Sequence, residues 1–443
     1  MRATILVLCV LILFMSKTNA QSGTGGTLTL QQSIETGIAN NLEVRESSLN
    51  AERAGVIFAQ SKGNLIPRLN AGILHGKSQG RSIDRTSNTY INQQQDIADI
   101  NLNSDVTVFN GFRLLNSLKR DALAYDAAKL EFEQQKYDIT LAIIIAYLQV
   151  LNSEDQLALS KTQLELSRTQ VARLEVLNQQ GAIPPAQLYD LKGTVANDEL
   201  SILSNNGQLV ASIRDLAALM NVPFDPNIKL ERLTADQFSL QYEGTAESIY
   251  QVAMDQLALV KAADLRTKSA SKDVQVARGA LAPELYLAGS FFTNYSKTKG
   301  QQSIKYFDQL RNNYGTFIGV GLNIPIINNM RARNNVTLAK IDQKNAEIRK
   351  QTLYTALQQA IGEAYINMRA AAERYKVLQG QVEAFTLAFR AAEVRFNAGL
   401  GTSVDYLVAK NNVDRANLNL INARYEYAFR VKILDYYQNK PLW

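Results

Sequence analysis

Two kinds of hydrophobic spacing alternate along this chain, and each occurs twice. Ile100, Leu102, Val106 and Val108 share one face of a period-two run, with Asn101, Asn103, Asp105 and Thr107 on the other. Thr316, Ile318, Val320, Leu322 and Ile324 alternate in the same way with Phe317, Gly319, Gly321 and Asn323. Such alternation predicts strands with one apolar and one polar face. Weaker runs at 69–74, after Pro67, and at 285–291, after Pro283, predict a partner strand before each. Strands of about 10 residues are expected, which is enough to cross a hydrocarbon layer when tilted. Polar segments at about 76–98 and 297–314 are expected to be loops between the paired strands.

Elsewhere the spacing is helical and helix breakers are sparse. One helix is predicted from Leu30 to about residue 60, and a second over about 248–280. From Arg113 to about residue 180 there is no proline, and no glycine stands between Gly111 and Gly181. Read as one helix, that stretch would be near 100 Å long at about 1.5 Å per residue. Its counterpart at 330–397 holds Gly362 and Gly380, each costing about 1 kcal/mol in an exposed interior. Leu157, Leu164 and Val171 recur every seventh residue, as do Leu159 and Leu166, the spacing of a coiled-coil seam. Ala360, Ala364, Ala370, Ala371 and Ala372 suit close helix contacts.

The two sets are copies. Ala146-Tyr147 returns as Ala364-Tyr365, Arg113 as Arg331 and Gly181 as Gly399, each 218 residues later. Ile34 and Ile249 stand 215 apart, so the halves differ by a few residues near the strands, where loops tolerate length changes. The expected organisation is a first structural repeat over 21–240 and a second over 241–443. Each reads helix, two strands, long helix and returning helix (187–218 and 404–437); the first ends in a connector and the second in a C-terminal tail. Four strands cannot close a pore within one chain. Open edges in lipid would leave backbone groups unsatisfied, so membrane insertion requires several copies sharing one barrel. A soluble sheet packed on a core is the alternative. Tyr295, Tyr306, Phe307 and Tyr314 lie near strand ends, where an interfacial aromatic girdle would sit.

Composition narrows the setting. Arg2, an apolar core from Ile5 to Phe14, and Thr18-Asn19-Ala20 read as a signal peptide over 1–20, cleaved after Ala20. The single cysteine, Cys9, lies within that core, so the exported chain would hold no disulfide. The 47 basic and 41 acidic residues give a net charge of +6. Loss of Arg2 and Lys17 would leave +4, spread without a basic block, so no nucleic-acid partner is expected. No run of 18 apolar residues follows the signal, which argues against a transmembrane helix. His75 is the only histidine and has no ligand cluster around it, so a metal site is not expected. No phosphate loop, zincin pattern or nucleophile elbow is present. The chain is therefore read as carrying no catalytic residue and no cofactor, and no enzymatic activity is expected of it.

The long helices end in Gly181-Ala182-Ile183-Pro184-Pro185 and in Gly399-Leu400-Gly401-Thr402-Ser403. Glycine suits a helix end, and either proline suits the next helix's start. Thr402 or Ser403 can cap the helix that holds Asp405. Asp405 has two compatible roles: a first-turn carboxylate favoured by the helix N-terminus, or one member of a ring that concentrates negative potential around an axis.

The segment from Arg395 through Gly399-Leu400-Gly401-Thr402-Ser403-Val404-Asp405 to Ala409 resembles the second periplasmic tip of the outer-membrane efflux and secretion channel (TolC-like) family. Arg173-Leu174-Glu175 through Gly181 and Leu188 resembles the first tip. Leu28-Thr29-Leu30 through Asn40-Asn41-Leu42, Ile66-Pro67 and Ala282-Pro283 also resemble family features. The resemblance implies a mixed α and β fold: a homotrimeric, twelve-stranded outer-membrane β-barrel, four strands per chain, continued by a periplasmic α-helical coiled-coil tunnel. It implies that the connector after Met220 and the tail form a belt around the tunnel. It further implies two more copies of the chain, outer-membrane lipid, and a periplasmic adaptor as partners. The adaptor would dock at Gly181, Ala182, Ile183, Pro184, Gly399, Leu400, Gly401 and Thr402. An inner-membrane efflux pump or ABC transporter would act through it, making the chain a passive exit duct. Asp405 matches one acidic aperture position, whereas the acid three residues later in the family is Val408 here. An exported periplasmic coiled-coil scaffold or adhesin without a barrel is the alternative function.

Overall fold

The computed structural model describes residues 27–83, 86–232, 242, 244–300 and 302–442. The expected signal peptide and the expected boundary between repeats at 240/241 lie outside them. In chain order the elements are α1 (Leu30–Asn40), α2 (Leu42–Gly63), β1 (Arg68–Ile83), β2 (Tyr90–Phe109), α3 (Arg113–Gln179) and α4 (Pro185–Met220). The second half supplies α5 (Ala246–Gln256), α6 (Ala258–Gly279), β3 (Glu284–Thr298), α7 (Tyr306–Asn312), β4 (Gly315–Asn323), α8 (Arg331–Asn397) and α9 (Ser403–Tyr437).

The duplication is visible element by element. Both long helices, α3 and α8, have 67 residues. The α1/α2 pair has 11 and 22 residues, and so has α5/α6. Thr29 and Thr245 each close a capping box. The register between these early helices is 216, not the 215 read from Ile34 and Ile249, so Ile249 stands with Ser33. Two residues gained between the strands bring the offset to 218.

The first helix of each half is not continuous, as the sequence reading had it. Asn41 interrupts the first: its Oδ1 accepts from the N–H of Glu43 at 2.9 Å and of Val44 at 3.3 Å, so it starts α2 rather than extending α1. In the second half the break falls at Leu257, and Gln134 of α3 accepts from Leu259 N–H at 3.1 Å. These breaks let α1 and α5 turn across the long helices. Around α1 the core gathers Ile34, Ile143, Tyr147, Leu216 and Leu442. The fully buried Tyr147 donates towards the carbonyls of Leu28 and Glu231, at 3.0 and 2.7 Å, where Leu28 and Leu230 form a parallel bridge. The described part of the connector and the tail are therefore packed at mid-helix.

The four strands form one antiparallel sheet in the order β1-β2-β3-β4. Three strands are longer than the expected ten residues, at 16, 20 and 15, while β4 has nine. The polar segment at 76–98 is mostly strand: Lys77 pairs with Asp96 and Gln79 with Gln94. Backbone ladders need no apolar side chains, so polarity there misread strand as loop. The second polar segment contains the short helix α7. His75 lies within β1 rather than at its end.

Register brings the apolar positions of both halves to one face. Leu102 pairs with Phe291 and Phe291 with Thr316; Val106 pairs with Leu287 and Leu287 with Val320. Asn101, Asn103, Ser290, Gly319 and Gly321 fall on the other, together with the rings of Tyr286, Phe292 and Phe317. The helices continue the sheet's order, since α2 packs on α3, α3 on α6, and α6 on α8.

The passage from sheet to helix is tight. Gly111 has φ +65°, and a Cβ there would lie 2.5 Å from Ala282 Cβ and 2.7 Å from Gly279 O. Phe112 follows with φ 61°, and Asn329 and Met330 repeat the left-handed pair with φ 51° and 60°. Gly111→Ala should destabilise the fold by about 2 kcal/mol or more, combining the left-handed penalty with a backbone clash. Thermal unfolding of the variant beside Gly181→Ala checks this, because Gly181 has a similar φ of +67° but open space around it. Equal losses in the two would refute the close-approach argument.

Candidate functional site

At the end far from the sheet, two helical hairpins lie side by side. The α3/α4 hairpin has a polar heptad that the search for apolar spacing missed. Ser153 Oγ lies 3.0 Å from Ser212 Oγ, Asn205 donates to Ser160 Oγ at 2.6 Å, and Ser167 donates to Asp198 Oδ2 at 2.5 Å. Each rung is seven residues from the last on both helices, and the series ends at the tip with buried Leu174 and Leu191. Leu157 and Leu164 are buried between these rungs, as their spacing predicts, and Val171 is partly so. Small hydroxyl and amide side chains bring the helices close while satisfying their own polar atoms.

The turns take the expected chemistry. Gly181 has φ +67° and Gly399 φ +73°, and Pro185 is the first residue of α4 with Pro184 as its N-cap. Thr402, rather than Ser403, caps α9: its hydroxyl accepts from Asp405 N–H at 3.1 Å, and Asp405 Oδ2 lies 2.8 Å from that hydroxyl. Asp405 is exposed, and its carboxyl is held below the usual carboxylate range first by the Thr402 hydroxyl, then by the Thr402 N–H and Arg395. Val404 and Val408 are exposed beside it. Ser403 turns inward and donates to Asp190 Oδ2 at 2.9 Å.

A small apolar cluster joins the hairpins: Leu174, Leu188, Leu191, Phe396 and Tyr406. The rings of Phe396 and Tyr406 stack at 5.0 Å between centroids. Burial pushes the Tyr406 phenol up, with Glu393, Asp414 and Asp198 adding to the shift. Arg173 reaches across to the carbonyl of Asn397 at 2.6 Å. Just above, Lys410 is 1% exposed and donates to Asp414 at 2.7 Å and Asp198 at 3.3 Å. Lys410, Asp198 and Ser167 escaped the sequence reading because a lysine at helical spacing reads as solvated surface; only burial reveals them.

Of the expected tip residues, Gly181, Ala182, Pro184, Gly399, Leu400 and Thr402 are exposed at the two turns, with Ile183 and Gly401 partly covered. The two turns are adjacent in space, joined by the Phe396/Tyr406 cluster. Among the described residues there is no group of three metal-ligating side chains. No described helix is long and apolar enough to cross a membrane.

Similarity to known proteins extends over both halves. The chain is 24% identical over 401 residues to the pyoverdine export outer membrane protein OpmQ of Pseudomonas putida, covering 87% of this chain and 80% of that one. It is 22% identical over 407 residues to the outer membrane protein TolC of Escherichia coli, covering 90% and 79%. Among solved structures, CusC superposes with a TM-score of 0.81 at 14% identity, over 96% of each chain. The outer membrane channel CmeC of Campylobacter jejuni gives 0.79 at 17% identity, over 93% and 87%. The family model for outer membrane efflux proteins matches residues 33–222 and 249–434, one stretch in each repeat. With both repeats matched and the fold shared, the chain belongs to the outer membrane efflux protein family, channels of the outer membrane with a large helical portion in the periplasm.

Proposed function

We propose that three copies of this chain close into one tube, the passive outer-membrane exit duct of a tripartite efflux or type I secretion system. The observation that carries this is the matching order of sheet and helices. One chain forms an open arc whose strands run β1-β2-β3-β4 and whose helices run α2, α3, α6, α8. Among the described residues the β1 and β4 edges have no strand partner, and α2 and α8 end the helical arc on the same sides. Three such arcs give twelve strands and a closed ring, which removes the open edges that lipid would not tolerate. The apolar sheet face then meets lipid and the face with Asn101 and Asn103 lines the lumen.

The paired tips are the docking surface for a periplasmic adaptor, through Gly181, Ala182, Ile183, Pro184, Gly399, Leu400, Gly401 and Thr402. Leu400, 81% exposed, is an apolar side chain suited to burial by that partner. An inner-membrane transporter acting through the adaptor supplies the energy. Asp405 lines the aperture, and Val408 one turn above gives an apolar ring where a second acidic ring would make the constriction more negative. Three carboxylates around an axis attract cations, and their mutual repulsion opposes the Thr402 hydrogen bonds that favour ionisation.

Single-channel recording of Asp405→Asn tests the aperture. Cation preference should fall severalfold at neutral pH, because each copy loses one charge. Acidifying the wild-type channel through the carboxyl's own titration should reproduce the effect, since protonation removes the same charge. Selectivity unchanged by the substitution would remove Asp405 from the pore.

A further inference from the structure

The apolar face of the sheet does not end in loops at its outer edge. It ends in an aromatic row with a helix laid over it, followed at once by cations. Reading up that face, Leu285 to Tyr295 spans ten residues, roughly 34 Å along the strand at about 3.4 Å each. At the usual tilt this covers about 25 Å of membrane, the height of a lipid-facing band. At its upper limit His75, Ala98 and Tyr295 lie in one row by register. α7 packs over that row. Tyr306 lies 4.5 Å from the Tyr295 ring and 6.0 Å from His75. Thr293 donates to Leu310 O at 2.5 Å, and buried Gln309 bonds both backbone groups of Ser296. α7 is therefore pinned to the outside of the barrel, with Phe307 79% and Ile304 61% exposed.

The next row on the same face is Lys77, Asp96 and Lys297. Arg81 and Lys299 follow on the same side, and Lys305 and Arg311 flank and form part of α7. All six cations are exposed, and no ion pair among the described residues engages them. Among the described residues, Asp96 and Asp308 are the acids in these upper rows and on α7, leaving a positive excess there. We propose that Lys77, Arg81, Lys297, Lys299, Lys305 and Arg311 form a belt that binds the phosphate-bearing head groups of the outer leaflet, with Phe307 and Ile304 seated among the acyl chains below. The inference rests on the barrel reading above, because it needs this face to meet lipid. Two features commit the occupant. The belt continues the lipid-facing band without a gap, and its charge complements phosphate at the depth where head groups begin. A basic surface free in water would have no reason to adjoin exposed Phe307, on a helix pinned to the barrel wall, and Ile304 just before it.

The test uses the full chain, purified as an oligomer in zwitterionic detergent and titrated with lipid in native mass spectrometry. The probes are bisphosphorylated lipid A and the same lipid with both phosphates removed. Wild type should retain the phosphorylated lipid at least about tenfold more strongly, with a steep loss on adding salt. A variant with Lys77, Lys297, Lys299 and Lys305 changed to glutamine should lose that preference, and Lys305→Gln with Arg311→Gln should lose part of it. Millimolar inorganic phosphate should not displace the lipid. Equal retention of the two lipids, full retention by the fourfold variant, or displacement by free phosphate would each overturn the proposal. Oligomer mass and conductance, read on the same samples, report separately on the barrel, so a failed belt and a failed barrel give different results.

Discussion

Lys410→Met should loosen the paired helical tips by about 3–5 kcal/mol, the loss expected when one partner leaves a buried ion pair. Lys410 is enclosed between Asp414 on its own helix, at 2.7 Å, and Asp198 on α4, at 3.3 Å. Removing the ammonium leaves two carboxylates with side-chain exposures of only 13% and 21% facing each other. Desolvation already pushes the Asp414 carboxyl above the usual carboxylate range, and Lys410 pulls it back. A raised folded-state pKa means the carboxylate costs stability at every pH above that value. The cost disappears as pH falls through the raised value towards the unfolded one. In the variant the pull from Lys410 is gone, so Asp414 rises further and mild acid should restore part of the lost stability. Hydrogen exchange resolves the effect by place: protection should fall in α4 and α9 near these residues while the sheet and the Tyr147 core stay unchanged. Adding Asp198→Asn and Asp414→Asn to Lys410→Met should recover most of the loss, because a neutral buried set needs no counter-ion. Wild-type protection in the single variant would mean that the ammonium is not paired in solution.

This triad also marks where sequence reading stopped. The long helices, their seven-residue seam, the 218-residue offset and the Gly turns were legible because each rests on local signals: period, missing Pro, and residues that tolerate left-handed backbone. The interrupted first helices were not, since Asn41 gives little sign of a break until its side chain is seen on the N–H groups of Glu43 and Val44. Strand length was underestimated for a similar reason. Gln93 opposite Gly80 and Gln94 opposite Gln79 pair through backbone, and nothing in their polarity announces it. At the tip, capping preferences marked the helix start before Asp405 but left Thr402 and Ser403 open, and the hydroxyl on the Asp405 N–H decides for Thr402. The Ser167–Asp198 rung lies within one hairpin but carries no apolar signal, and the contact of Lys410 with Asp198 joins residues 212 apart in sequence, which no window along the chain contains.

The edge of the helical arc should be as sensitive as the tips. Leu42, Leu49 and Val56 recur every seven residues on α2 and are 64%, 56% and 63% exposed in the single chain. The opposite side of the same helix is buried, at 4% for Val44 and 8% for Ala51. A helix with two apolar sides, one already packed, calls for a second partner on the other. On α8, at the far edge of the arc, Leu338, Ile341 and Ile348 are 58%, 49% and 61% exposed. Val56 lies seven residues before the end of α2 and Leu338 seven after the start of α8, so both stand roughly 10 Å from the sheet-side end of their helix at about 1.5 Å per residue. The two stripes are thus level, and a neighbouring copy would bring one onto the other. Burying each such side chain contributes about 1.5–3 kcal/mol, repeated at every interface of the proposed ring. Changing Leu42, Leu49 and Val56 together to serine should therefore prevent assembly of the proposed three-chain ring while leaving monomer folding intact, because these side chains are exposed in the single chain. The same change at Leu338, Ile341 and Ile348 should give the same outcome. If either triple variant assembled with an unchanged dissociation temperature on gels, the strand edges alone would be holding the copies together, and the α2 and α8 stripes would face something other than each other.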